Sequence, residues 1–133
     1  MEFISWKTCY CVGDPKIDFQ HRRLLTLLNL LHDKVQARRA PAIIDKALIE
    51  LINYAEEHFR DEEEVMERIN FPYLDEHRAE HERLVIEVFA FKEKFDKGQV
   101  SVYDLLDFLK HWLIEHILGS DLKIKHYLPR VKC

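Results

Sequence analysis

The chain has 133 residues, one domain's worth, and a chain of that size can bury a single hydrophobic core without disulfide staples. It has only three glycines and four prolines, far below the combined average of about 12%. That excludes glycine-rich phosphate loops, collagen-like repeats and most sandwiches, and it favours helices. Twenty basic side chains against 24 acidic ones give a net charge of −4, so no global positive field recruits nucleic acid or anionic lipid. Eight histidines are left to be explained.

The first residues, Met1 to Lys7, have neither a basic nor an apolar signal-peptide region. Nowhere do 18 apolar residues run together, so no membrane span is expected and a cytoplasmic location is. The three cysteines, Cys9, Cys11 and Cys133, then read as reduced thiols. Residues 1–17 form an N-terminal arm holding Gly13, Asp14 and Pro15 in a loop. Helical periodicity predicts helices over 18–38, 41–69, 73–96 and 101–122, punctuated by Pro41, Pro72 and Gly98. Ser101 with Asp104 resembles a capping box opening the last helix. Residues 123–133 make a mildly basic tail, with Lys123, Lys125, Arg130 and Lys132 on an exposed helix end. Short connections between four helices predict an all-α, up-down-up-down antiparallel four-helix bundle, a single domain over 1–133.

The inward stripes of these helices carry polar side chains where apolar ones belong. In the third helix His77, His81, Leu84, Val88, Phe91 and Phe95 recur at spacings of four and three. The second does likewise through Leu48, Leu51, Ala55, His58, Glu62 and Met66. His21 precedes Leu24, Leu25, Leu28 and Leu31 on the first, and His116 follows Leu105, Leu109 and Trp112 on the last, with Asp121 beyond. Burying this many imidazoles and carboxylates without partners costs several kcal/mol each, against a total stability of about 5–15 kcal/mol. A shared metal resolves that conflict.

Residues four apart on a helix differ by about 40° and about 6 Å of rise, so His58 with Glu62 and His77 with His81 each grip from one face. His116 and Asp121 are five apart, about 140° on a regular helix, and need a local distortion, for which Gly119-Ser120 is suited, or a wide site. A pair of bridged metal ions is such a site. Five imidazoles and two carboxylates suit iron, and on ligand type also zinc, manganese or copper. His32 falls on the same face as His21 and reads as a core or boundary histidine, whereas His111 and His126 read as solvated.

These residues resemble those of the hemerythrins, in particular the single-domain bacterial hemerythrins. The resemblance runs from Trp6, Tyr10 and Val12-Gly13 through Ile17-Asp18-Phe19-Gln20-His21. It continues with His58-Phe59-Arg60-Asp61-Glu62-Glu63-Glu64-Val65-Met66, then Phe71-Pro72-Tyr73 and His77-x-x-x-His81. It closes on Trp112-Leu113-Ile114-Glu115-His116-Ile117-Leu118-Gly119-Ser120-Asp121. It implies two iron ions with a bridging oxo or hydroxo group: His77, His81 and His116 on one, His21 and His58 on the other, Glu62 and Asp121 bridging. It also implies an apolar dioxygen pocket at Leu24, Phe59, Trp112, Leu113 and Ile117.

The expected function is therefore reversible dioxygen binding, for storage, delivery or sensing, by a binding protein and not an enzyme. Its expected partners are dioxygen and a redox or oxygen-consuming protein. The competing functions are a di-iron redox enzyme acting on peroxide or nitric oxide, iron storage, and a structural zinc site.

Overall fold

Four helices and two short 3-10 turns account for most of the chain in the computed structural model, which describes residues 3–116 and 121–128, the side chains of Asp121 and Leu122 excepted. Helix α1 spans Pro15–Gln36, α2 Pro41–Arg68, α3 Leu74–Asp96 and α4 Val102–Glu115. Each packs against its neighbour in sequence, and α1 against α4 closes the ring of an antiparallel bundle. No strand occurs among the described residues.

The helix boundaries follow local chemistry. Asp14-Pro15 is a helix start and not the expected loop. The Asp14 carboxylate accepts from the Ile17 amide at 3.0 Å, and Pro15 sits where a missing N–H costs nothing. Pro41 opens α2 in the same position. Just beyond the C-caps of the first three helices come Arg38, Asn70 and Gly98, whose positive φ values of 53°, 54° and 71° reverse the chain. The capping box at α4 forms as read, Ser101 and Asp104 each accepting the other's backbone amide.

Two features at the C-terminal end differ from expectation. The last helix was expected to run to 122, but regular α geometry stops at Glu115. At His116 the chain widens into a π turn, and a 3-10 helix covers Asp121–Tyr127. Nor is the tail wholly exposed. Ile124 is fully buried against Met66 and Phe71, while Lys123 and Lys125 face water.

Leu24, Leu28, Leu31, Leu48, Leu51, Leu84, Leu105 and Leu109 are fully buried in the main core. Each contributes roughly 1.5–3 kcal/mol by leaving water. The arm is fastened at two points. The Asn29 side chain accepts from the Phe3 and Ile4 amides at 3.0 and 2.9 Å and donates to the Ile4 carbonyl at 2.8 Å. Asp18 accepts from the Val12 and Gly13 amides at 2.7 and 3.2 Å. Gly13 has φ 107°, open to glycine and strained for any other residue. Val12 thereby packs on Ile17 and Val65 and covers one end of the bundle.

Trp6 meets Tyr10 edge-on and lies under the Arg22 guanidinium, and both rings pack on the main core. Cys9 is an exposed free thiol. The expectation of reduced thiols fails at Cys11, which is buried and disulfide-bonded to a partner outside the described residues.

Candidate metal centre

The stripe positions that carry polar side chains converge at one end of the core. His21 comes from α1, His58 and Glu62 from α2, His77 and His81 from α3, and His116 from the end of α4. None is more than 4% exposed, and His21, His58 and Glu62 are wholly buried. Helical spacing explains this: the i,i+4 pairs lie on the adjacent helices α2 and α3, and single residues on α1 and α4 complete the ring.

All five imidazoles turn an Nε2 atom toward the Glu62 carboxylate. His77 and His81 lie 2.7 and 2.9 Å from Oε1. His58, His21 and His116 lie 3.1, 3.6 and 3.9 Å from Oε2. Two ligand groups result, His21-His58-Glu62-His116 and Glu62-His77-His81, with Glu62 common to both. The resemblance pairs His116 with His77 and His81 instead. Its ring lies between the two sets, with its centroid 5.3 Å from that of His81 and 5.4 Å from that of His58. Burial alone would push the Glu62 carboxyl up. The charges of His58 and His116, with hydrogen bonds from His21 and His58, outweigh it and hold the group well below its usual range.

The far edges of two of these imidazoles are held as well. His58 Nδ1 donates to Gln20 Oε1 at 2.7 Å, and Gln20 Nε2 donates to Asp61 at 2.7 Å. His81 Nδ1 donates to Glu63 Oε2 at 2.9 Å, while Glu63 Oε1 accepts from Arg78 Nε at 3.2 Å. These contacts leave the Nε2 atoms to point inward, the second layer by which proteins orient metal-binding histidines. Sequence reasoning missed Gln20, Asp61 and Glu63 as functional. The available signal was their place beside ligands in the chain, in His58-x-x-Asp61-Glu62-Glu63 and Gln20-His21.

One side of the site is walled by aromatic rings. Phe59 stacks on His81 with centroids 4.3 Å apart, meets His116 edge-on at 4.8 Å, and lies 6.0 Å from Trp112. Trp112 is fixed by donating its Nε1–H to the Leu84 carbonyl at 2.9 Å. Leu24 and Leu113 are buried in the same core cluster. Ile117, the remaining expected wall residue, lies outside the described residues, as do the Asp121 side chain and the Gly119-Ser120 pair.

The other histidines stand apart. His32 stacks on Phe3 of the arm with centroids 4.4 Å apart. His111 is exposed and donates to the Asp107 carbonyl one turn back, and His126 is exposed.

The donor set fits a pair of transition-metal ions. Borderline imidazole nitrogens surround one carboxylate whose two oxygens face different imidazole groups, and all are withdrawn from water. The family model of the hemerythrin HHE cation-binding domain matches residues 12–128. A bacteriohemerythrin from Stenotrophomonas maltophilia is 32% identical over 99% of this chain and 84% of its own. A hemerythrin-like protein of Naegleria gruberi is 32% identical over 93% and 92%. A bacteriohemerythrin from Clostridium acetobutylicum is 34% identical over 87% and 94%. The crystal structure of a hemerythrin variant superposes with a TM-score of 0.82 at 29% identity, covering 96% of this chain and 98% of the other.

Proposed function

The chain belongs to the hemerythrin family, and from that premise we propose that it binds dioxygen reversibly at a non-haem di-iron centre, as a binding protein and not an enzyme. The observation that carries the reading is the convergence of five imidazole Nε2 atoms on the two oxygens of the buried Glu62. In this reading His77, His81 and His116 would hold one iron, His21 and His58 the other, and Glu62 and Asp121 would serve both. What the iron pair supplies when bound is a source of two electrons for dioxygen and one vacant coordination position.

The rest is the work of the chain. Five neutral imidazoles bring less negative charge to the metals than the carboxylate-rich ligand sets of ferritin-like proteins, which favours holding dioxygen over driving oxidation. Gln20 and Glu63 fix the rings of His58 and His81 so that their Nε2 atoms are already aimed. Phe59 and Trp112, with Leu24, Leu113 and Ile117 as the remaining wall, exclude the water that would carry protons in and peroxide out. No described helix is long and apolar enough to cross a membrane. Storage, delivery and sensing draw on the same chemistry, and a redox or oxygen-consuming protein is the corresponding partner.

The test is to purify the protein, count iron per chain, and record its visible spectrum through cycles of deoxygenation and oxygen addition. Two irons per chain and an oxygenated band that disappears and returns are expected. One-way conversion to a ferric form, with turnover of peroxide or nitric oxide, would replace this reading with a redox enzyme. Zinc in place of iron would replace it with a structural site.

A further inference from the structure

His58 and His81 differ in the charge of the group that holds each ring. His81 donates its Nδ1–H to a carboxylate, Glu63, at 2.9 Å, and His58 donates its own to a neutral carboxamide, Gln20, at 2.7 Å. Both rings are at most 4% exposed, so neither contact is diluted by bulk water. A carboxylate behind an imidazole makes its far nitrogen a stronger donor, and a carboxamide does so far less. The charge on Glu63 is partly offset by Arg78. That guanidinium bonds the other carboxylate oxygen, and its side chain is 43% exposed and therefore screened. The carboxylate nearest Gln20, Asp61, is one bond further from its imidazole and faces Lys16 at 3.6 Å.

We propose that Glu63 and Gln20 are positioning residues that make the two halves of the centre electronically unequal, with the metal behind His81 the more electron-rich. This rests on the di-iron reading above. The inequality has a use there. The half backed by Glu63 favours the higher oxidation state and holds it. The half backed by Gln20 keeps a weaker-donating ligand set, which suits the position where a ligand comes and goes. Asp61 serves by fixing the Gln20 carboxamide with its oxygen toward His58, since the amide group is tied to the carboxylate.

The experiment compares three iron-loaded proteins: wild type, Glu63→Gln, and the double variant Gln20→Glu with Asp61→Asn. The double variant moves one negative charge from position 61 to position 20 and lets the new amide donate to the new carboxylate. Iron is counted in each, and the midpoint potential is measured by spectroelectrochemical titration at fixed pH and salt. Glu63→Gln is expected to ease reduction by about tenfold in the equilibrium constant, about 59 mV for a one-electron couple. The double variant is expected to make reduction harder by a similar factor. A purely structural role would change iron content or thermal stability while leaving both reduction equilibrium constants within about twofold of wild type, and that result overturns the proposal. If Glu63→Gln fails to retain iron, the sign of the shift in the double variant decides. Wild-type protein that holds no iron would overturn the functional reading and this inference with it, whereas iron-loaded proteins with equal potentials would overturn this inference alone.

Discussion

Substituting Asp18 by alanine removes the acceptor that fastens the arm beside the metal end of the bundle. The side chain is buried, and its two oxygens take the Val12 amide at 2.7 Å and the Gly13 amide at 3.2 Å. A hydrogen bond to a charged group is worth about 1.5–3 kcal/mol. The shorter, buried bond belongs in the upper half of that range. The longer, partly exposed one belongs below its lower end, because water replaces it. Together they give a loss of about 3 kcal/mol, a substantial share of a domain's total of about 5–15 kcal/mol. In Asp18→Asn one carbonyl oxygen still serves Val12 while the new amide faces the Gly13 N–H, and about half that loss is expected. Urea denaturation of each variant in one metal state measures these values. Thermal unfolding of Asp18→Ala should fall by about 10 °C for a chain of this length. Val12 and Ile17 pack on Val65, three residues beyond Glu62, so a loosened arm should also speed iron loss to a chelator. An Asp18→Ala protein within about 1 kcal/mol of wild type, with the same denaturant slope, would refute this account of the arm.

Replacing His58 by alanine should lower the iron content and remove part of the stabilisation that iron gives, because metal bound only by the folded state adds to folding free energy. An unchanged iron count and melting temperature would show that His58 is not a ligand. In the metal-free protein, stability should fall with acid. Glu62 and Glu80 both titrate below their usual range when folded, Glu62 because the surrounding imidazoles outweigh its burial and Glu80 because Arg83 donates to it. Between the folded and unfolded pKa values the unfolded chain binds more protons. The stabilisation is therefore complete above about pH 5 and is lost as pH falls through the lower folded values. Urea midpoints from pH 3 to 7 should trace that loss. Glu80→Gln should remove only its smaller, salt-sensitive share, since Arg83 is well exposed. Trp112→Phe should cost about 1–2 kcal/mol by deleting the bond to the Leu84 carbonyl and leaving space beside Phe59, read by denaturation.

The parts of the fold and site that were legible in the sequence are those fixed by period and local chemistry. Apolar stripes at a period of 3.6 place α1 to α4. The interruption of those stripes by His21, His58, Glu62, His77, His81 and His116 marks buried positions, and each of the six is buried. What escaped reading depends on contacts between segments distant in sequence. Glu63 looks like one more acid in a charged run, and only the approach of α3 to α2 gives it His81 and Arg78. Gln20 looks like a surface amide until α2 sets His58 and Asp61 on either side of it. The tail looked exposed because its lysines are, yet Ile124 among them packs on Met66 and Phe71. Asp14-Pro15 was misread for another reason: proline punctuates chains in loops and at the first turn of helices alike, and the Asp14 cap decides between them.

Helix α3 shows how closely folding and metal binding are joined in this chain. Its buried residues are His77, His81, Leu84 and Val88, so the two nearest its start are both imidazoles. Ile86 and Phe89, which would serve a core, are 69% and 47% exposed. At its start Leu74 gives only partial packing on the Met66-Phe71-Ile124 cluster. The first half of α3 is thus held to α2 by polar contacts, His77 and His81 to Glu62, His81 to Glu63, and Arg78 to Glu63 and Glu67, together with the stacking of Phe59 on His81. Those imidazoles gain little by leaving water unless something inside accepts their electron pairs. A metal held by this cluster would do so, and would tie α3 to the helices that carry the other ligands. The free energy that docks the first half of α3 and the free energy that binds the metal are then largely the same quantity, and the sequence could place histidines on that stripe only because the site repays their burial.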